Sequence, residues 1–275
     1  MEPLSITLTA QAGDKAVDLL AANCELPKSR IKDAMTKGAV WLTRGKRTRR
    51  LRRATTELLA GDTLALYYDE SILASTPPAP TLVDQQATYS VWYKPAGLMS
   101  SGSRYGDHHA IDRYLGKASG KEVYLVHRLD RFTHGLMVLA TSGRSAANLS
   151  AQFQARTVEK AYQAIVQGAI SESFSIDTPL DGKSAVSHVR PLANQSELTL
   201  VEVAIETGRK HQVRQHLAMA GYPVLGDRQY GDSNYPELQL VSVVLGFDCP
   251  DTGERRRYEL DDSLKPDLSA IRPRN

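Results

Sequence analysis

His127-Arg128-Leu129-Asp130-Arg131-Phe132-Thr133-His134-Gly135 is a polar stretch set between two apolar runs, Val123-Tyr124-Leu125-Val126 and Leu136-Met137-Val138-Leu139-Ala140. Continuous apolar runs of this length predict two buried central strands, with the polar stretch as the loop between them. A short loop anchored by core strands is a stiff place to hold a reactive group. Asp130 is its candidate acid. Arg128 and Arg131 favour the ionised carboxylate while burial opposes it, so the residues alone leave its protonation open. A structural ion pair or a turn hydrogen bond accounts for the same residue types.

Outward from this stretch, short apolar strands alternate with a few helices from about Thr88 onward, without an internal repeat. This predicts an α+β domain whose central sheet is mixed and mainly antiparallel. The 275 residues, 41% of them hydrophobic, suffice for one large or two smaller domains and argue against disorder. Leu238 to Phe247, the longest apolar stretch, is too short to span a membrane, and the start Met1-Glu2-Pro3 leads into no apolar core. No membrane insertion or secretion is expected. Cys24 and Cys249 stand far apart and in no ligand spacing, which disfavours a disulfide framework or zinc site and suits a reducing cytoplasm. His108 and His109 are adjacent, so their side chains should diverge on a regular backbone. His211 and His216 are five apart rather than four, and no metal is expected.

The N-terminal quarter differs in character. Between Lys28 and Arg53 lie eleven basic residues against one acid, Asp33, while the remainder holds 23 basic and 30 acidic residues. A solvated charged face is the plain explanation; a polyanion-binding module fits the crowding better. Ala16, Leu19, Leu20 and Cys24 recur at helical spacing. Pro27 opens a second short helix with an Ile31, Ala34, Met35 stripe, and Gly38 stands where a left-handed cap is needed. Ala39 to Leu42 and Asp62 to Tyr67 read as strands, with Arg44 to Arg53 an exposed turn and arm. The run Ser75-Thr76-Pro77-Pro78-Ala79-Pro80 continues neither helix nor sheet. The expected organisation is a small α/β module over 1–70, a proline-rich linker over 71–87 and a catalytic domain over 88–275.

Two residues beyond the loop suggest roles of their own. In Lys160-Ala161-Tyr162-Gln163-Ala164-Ile165-Val166, a strand would place Lys160, Tyr162, Ala164 and Val166 on one face, and a lone tyrosine there is by itself a core or rim residue. Arg209 follows Thr207-Gly208 at the start of a helix carrying Val213, Leu217 and Ala220. A cation at the positive end of a helix dipole is unfavourable unless an anion, which Asp130 could be, partners it; taken alone, Arg209 is a solvated helix-start residue.

The string HRLDRFTHGLMVLA at His127 to Ala140 resembles the signature of RluA-type RNA pseudouridine synthases. YKPAGL at Tyr93, KAYQAIVQG at Lys160 and ETGRKHQVRQHLAMAGYPVLGDRQYG at Glu206 match further blocks of that family in order. The resemblance implies that Asp130 is catalytic, that Tyr162 lies beside the flipped base, that Arg209 bridges to the catalytic carboxylate, and that Arg128 can fill the space the nucleotide vacates. No cofactor is implied. KSRIKDAMTKGAVWLTRGK and LLAGDTLAL resemble the S-four-like RNA-binding module, which implies that Lys28, Arg30, Lys32, Lys37, Arg44 and Lys46 face structured RNA. Enzymes with that module commonly act on large-subunit ribosomal RNA, with transfer RNA the alternative, and a monomer is expected. His134 stands where the family usually has Ser, Phe132 where an acid is common, and LQLVSVVLGF matches only loosely. A non-catalytic RNA-binding or ribosome-assembly protein, and an N-glycosidase, are the competing readings; the latter wants a second acid, which the loop lacks.

Overall fold

Two units share the chain in the computed structural model, which describes residues 2–231 and 235–271. One is built from residues up to 77 together with 101–118, the other from 78–100 and from 119 onward.

The first unit contains β1 (Leu4–Thr9), α1 (Ala16–Ala22), α2 (Lys28–Thr36), β2 (Val40–Arg44), β3 (Arg47–Arg50), β4 (Thr63–Tyr68), α3 (Glu70–Ala74) and nearly all of α4 (Ile111–Ser119). Its four strands form an antiparallel sheet in the order β1-β4-β2-β3. Leu20, Ile31, Ala34 and Met35 from the helices pack with Val40, Leu42, Leu64 and Leu66 from the sheet. Pro27 precedes α2 with φ −65°, and Gly38 follows it at φ +82°, a left-handed conformation that glycine adopts without strain.

The expected exposed arm is partly a strand. Arg47 to Arg50 pair with β2 through the two-residue turn Gly45-Lys46, with Gly45 at φ +58°. An edge strand of solvated cations carries no apolar alternation to announce it. β1 is not among the strands the sequence predicts, and the linker is shorter than 71–87, because α3 occupies its start and Thr81 to Gln85 form a strand. Residues 101–118 join the first unit through polar contacts. Trp41 donates its indole N–H to Arg104 O at 3.0 Å, Arg50 reaches Ser103 O at 2.8 Å, and Arg50 and Arg52 both pair with Asp107. His108 and His109 do not diverge. Their rings meet edge to face at 4.3 Å, since the segment before α4 is a turn rather than regular backbone.

The second unit comprises β5 (Thr81–Gln85), β6 (Tyr89–Lys94), β7 (Tyr124–Leu125), β8 (His134–Ala140), α5 (Gly143–Ala155), β9 (Glu159–Gln167), β10 (Phe174–Ile176), β11 (Ser187–Gln195), β12 (Leu198–Ile205), α6 (Gln212–Met219), β13 (Leu240–Asp248) and β14 (Arg255–Glu259). Its sheet runs β10-β11-β12-β9-β13-β8-β6-β5, with β14 and β7 paired to β13 and β8. All pairings are antiparallel except β13 with β8, so the sheet is mixed and mainly antiparallel as the sequence predicts. β8 is buried from Gly135 to Ala140. Val123 to Val126, expected as its equal, is half-buried and contributes only the two-residue β7. β13 pairs with β8 only at His134 and Gly135, and β7 fills the edge left at Leu139 and Ala140.

That parallel junction sets the end of the Asp130 loop. Gly135 has φ +114°, and a Cβ there would stand 2.2 Å from Ser242 O on β13. Both the conformation and the close approach demand glycine. Gly135→Ala should destabilise the protein by about 3 kcal/mol or more, seen as a lowered denaturant midpoint; a change within about 0.5 kcal/mol contradicts this packing argument.

Candidate active site

Six contacts immobilise the loop before Asp130 meets any substrate. His127 Nε2 accepts from Val138 N at 3.0 Å, and its ring stacks on Phe153 of α5 at 4.5 Å between centroids. Burial, with Lys160 nearby, holds that imidazole down to about pKa 3, so it is the neutral acceptor this bond requires. Ser100 Oγ accepts from Leu129 N at 2.9 Å and donates to Leu129 O at 2.6 Å. Arg131 O accepts from Gly97 N at 2.8 Å and from Lys94 Nζ at 3.2 Å. Asp130 therefore stands between two residues whose backbone is pinned. Fully buried Lys94 also donates to Pro95 O and Leu98 O, and burial pushes its ammonium down to about 7 despite the Asp130 charge. Sequence pattern does not single out Ser100 or Lys94, although Lys94 lies in the block YKPAGL at Tyr93 to Leu98.

Asp130 lines a cleft of about 390 Å³ with Arg128, Thr133, Tyr162, Arg209, His211 and Arg214 among its neighbours. The partner expected for Asp130 requires correction. Arg214, on α6, places Nη1 3.8 Å from Asp130 Oδ2, and His211 Nε2 stands 3.6 Å from Oδ1. Arg209 instead donates Nε to Ser184 O at 2.9 Å. The chain turns at His211, whose φ of +54° is left-handed, and α6 starts only at Gln212, so the two arginines leave the backbone in different local settings. Gln212 Oε1 also accepts from Arg209 N at 3.0 Å, fixing the turn.

Arg214 is held from behind. Asp227, fully buried, takes a bidentate pair from Nε at 2.6 Å and Nη2 at 2.7 Å, and also accepts from the backbone N–H of Gln229 and Tyr230. Burial opposes the guanidinium charge, but the Asp227 hydrogen bonds and charge prevail and raise its pKa. The other nitrogen, Nη1, is aimed at Asp130. His211 Nδ1 is 2.9 Å from Tyr230 Oη. Burial lowers the His211 pKa against the pull of Asp130, so Arg214 supplies the standing positive charge. Neither contact to Asp130 is within hydrogen-bonding distance, which leaves the carboxylate electrostatically supported and sterically open.

Tyr162 shares a face of β9 with Ala164 and Val166, and borders the cleft; burial, then the Asp130 charge, raises its phenol pKa. Thr133 Oγ1 is buried with no partner among the described residues. Arg128 is exposed at the cleft. His216 is structural, facing Ser187 Oγ at 2.9 Å and Thr178 O at 3.0 Å, and the described residues hold no cluster of three or more His, Cys, Asp or Glu suited to a metal. No described helix is long and apolar enough to cross a membrane.

Residues 88–219 match the family model for RNA pseudouridylate synthase. The chain is 31% identical over 285 residues to an uncharacterized RNA pseudouridine synthase of Aquifex aeolicus, covering 89% of this chain and 88% of that protein. It belongs to the RNA pseudouridine synthase family. The ribosomal large subunit pseudouridine synthase D of Pseudomonas aeruginosa is 34% identical over 70% of this chain and 66% of its own length. The structure of human RNA pseudouridylate synthase domain containing 4 shares the fold, with TM-score 0.56, 24% identity, and coverage of 66% of this chain and 88% of that one. The protein is thus an isomerase that acts on RNA.

The reassignment from Arg209 to Arg214 separates the two arginines in this synthase by experiment. Arg214→Met strands the buried Asp227 charge and should cost about 3–5 kcal/mol of stability along with activity. Arg209→Met loses one carbonyl contact and should stay within about 1 kcal/mol in chemical denaturation. Equal losses at the two positions contradict the assignment.

Proposed function

We propose that Asp130 is the carboxylate with which this synthase isomerises uridine, and that its substrate is large-subunit ribosomal RNA gripped by the first unit. The observation that carries the first part is the open carboxylate of Asp130, pinned at Leu129 and Arg131 and faced by the buried cation of Arg214. Isomerisation breaks the N1–C1′ bond, turns the uracil while it stays bound, and joins C5 to C1′; C5 gives up its proton and N1 acquires one. No electrons are exchanged with a second molecule. Asp130 serves either as a nucleophile or as a base that removes a sugar proton. In either case Arg214 sets a fixed positive charge 3.8 Å from the reacting carboxylate. The target must leave its stack, at a cost of a few kcal/mol, roughly. The Tyr162 ring supplies a surface for the flipped base, with the phenol kept protonated by burial, and the free Thr133 hydroxyl offers a polar contact.

The ribosomal part rests on the S-four-like pattern, the relative named for the large ribosomal subunit and the charges left over in the first unit. Lys28 pairs with Asp18 and Arg30 with Glu70 at the exposed surface, pairs weak enough to yield to phosphate. Lys37 is committed to Asp33 and Leu73 O, and Arg44 to a bidentate grip on buried Asp62. Those two are structural. Lys32, Lys46, Arg47, Arg49 and Arg53 are exposed, and none has an acid within ion-pairing distance among the described residues. Phosphate binding therefore centres on the β2–β3 hairpin and Lys32.

Two measurements test these proposals. Tritium release from unmodified ribosomal and transfer RNA transcripts labelled at uridine C5 should fall by roughly 10²-fold or more in Asp130→Asn, with RNA affinity retained and no free uracil. Retained release removes Asp130 from the chemistry, and release from transfer RNA alone reassigns the substrate. Removing residues 1–75 would leave 101–118 without most of its unit, so charge removal is the cleaner probe of docking. The triple variant Lys46→Ala, Arg47→Ala, Arg49→Ala should weaken RNA binding and flatten the slope of log affinity against log salt by about 2. An unchanged slope rejects the hairpin as the phosphate contact.

A further inference from the structure

Phe132 is 55% exposed, and it is the one aromatic among the large hydrophobic residues found exposed in the described chain. It lies two residues after Asp130 and directly before Thr133, both of which line the cleft. It is not exposed through slackness. The carbonyl of Arg131, in the peptide bond to Phe132, is held by Gly97 N and Lys94 Nζ, and Thr133 on its other side is buried. The backbone thus enters and leaves Phe132 at fixed points, and the ring is presented to solvent from the loop whose Asp130 and Thr133 line the cleft. Arg131 stands over that ring with its guanidinium carbon 5.2 Å from the centroid, its Nε directed to Gly97 O at 3.4 Å. A cation on one face steadies the ring while most of the side chain stays uncovered.

We propose that Phe132 stacks on an unpaired base next to the flipped uridine, and so takes part in selecting RNA sites whose neighbouring nucleotide is free to stack. This inference rests on Asp130 marking the reacting position. Its physical content is specific. A planar ring held outward beside a cleft gains most from a planar, partly apolar surface, and every nucleobase offers one. The surroundings favour nucleic acid over an apolar protein face, because Arg128, Arg131, Arg209 and Lys210 lie in the same loop or along the cleft, and would attract the phosphates on either side of the stacked base. Extrusion of the uridine also breaks its stack with both neighbours, and a protein ring on this loop replaces one of those contacts.

The test is steady-state tritium release from the same C5-labelled ribosomal and transfer RNA transcripts, read as separate KM and kcat. Phe132→Ala should raise KM by about 5- to 100-fold while kcat at saturating RNA changes less than about threefold. Phe132→Tyr and Phe132→Trp should stay within about threefold of wild type, whereas Phe132→Leu, which keeps apolar bulk without a flat ring, should behave like Phe132→Ala. A ring that merely packs the loop predicts the reverse pattern, with Leu rescuing and with kcat falling alongside the melting temperature. As an independent readout, the added indole emission of Phe132→Trp, corrected for the wild-type signal of Trp41 and Trp92, should be quenched when the transcript binds. Full activity of Phe132→Ala, or unquenched emission, overturns the proposal. Failure of the Asp130 reading is distinguishable, since it appears as release retained by Asp130→Asn whatever the Phe132 variants do.

Discussion

A single buried guanidinium organises the site. Arg214 spends one edge on Asp227 and turns its remaining nitrogen toward Asp130. Burying such a charge without a partner is costly, and Asp227, itself fully buried and supported by two backbone N–H groups, removes that cost. With Asp227 neutralising it from behind, Arg214 is fixed in direction and needs nothing from Asp130 to remain charged. Asp130 can therefore change its bonding during a reaction without collapsing the electrostatic frame around it. A pair made of Asp130 and Arg214 alone would couple catalysis to the integrity of the fold.

The sheet and the loop were legible in the sequence because both rest on patterns of burial. Leu136 to Ala140 is continuous and apolar, and it is a central strand; Tyr162, Ala164 and Val166 alternate and share a face. The choice between Arg209 and Arg214 was not legible in the same way. Both belong to one short polar block, and only the left-handed turn at His211 determines which of them the helix carries toward Asp130. A signal was present. Arg214 follows Val213 and precedes Leu217 by three, on the flank of the apolar face of α6, where a long side chain is drawn into the interior. Arg209 precedes the helix and has no such constraint.

The local charge count misled in a comparable way. Eleven cations against one acid between Lys28 and Arg53 describes neighbours along the chain, whereas charges are neutralised in space. Asp18, Asp62, Glu70 and Asp107 lie outside that stretch and pair with Lys28, Arg44, Arg30, Arg50 and Arg52. Asp107 comes from 101–118, a segment no composition shift connects to the first unit. Among the described residues, what survives is a smaller set of unpaired cations on the hairpin, on α2 and at Arg53, and their segregation from the paired ones is information only the fold contains.

The two buried cations beside the loop show why their residue types are not interchangeable. Among the described residues, Lys94 has three carbonyls as partners and no carboxylate in contact, and burial lowers its pKa to about 7. It can lose its proton near neutrality and still donate two of its three hydrogen bonds, which preserves most of the clamp on Arg131 O. Relative to the unfolded chain, where lysine stays protonated to about pH 10, this group lets stability rise with pH from about 7 upward, because over that range the unfolded state binds the extra proton. The Arg214 pKa moves the other way under Asp227. A lysine in its place would lack the fork that binds one carboxylate through two nitrogens and faces a second through another. Lys94 can thus act as a clamp in either protonation state, whereas the task of Arg214 requires a charge that persists.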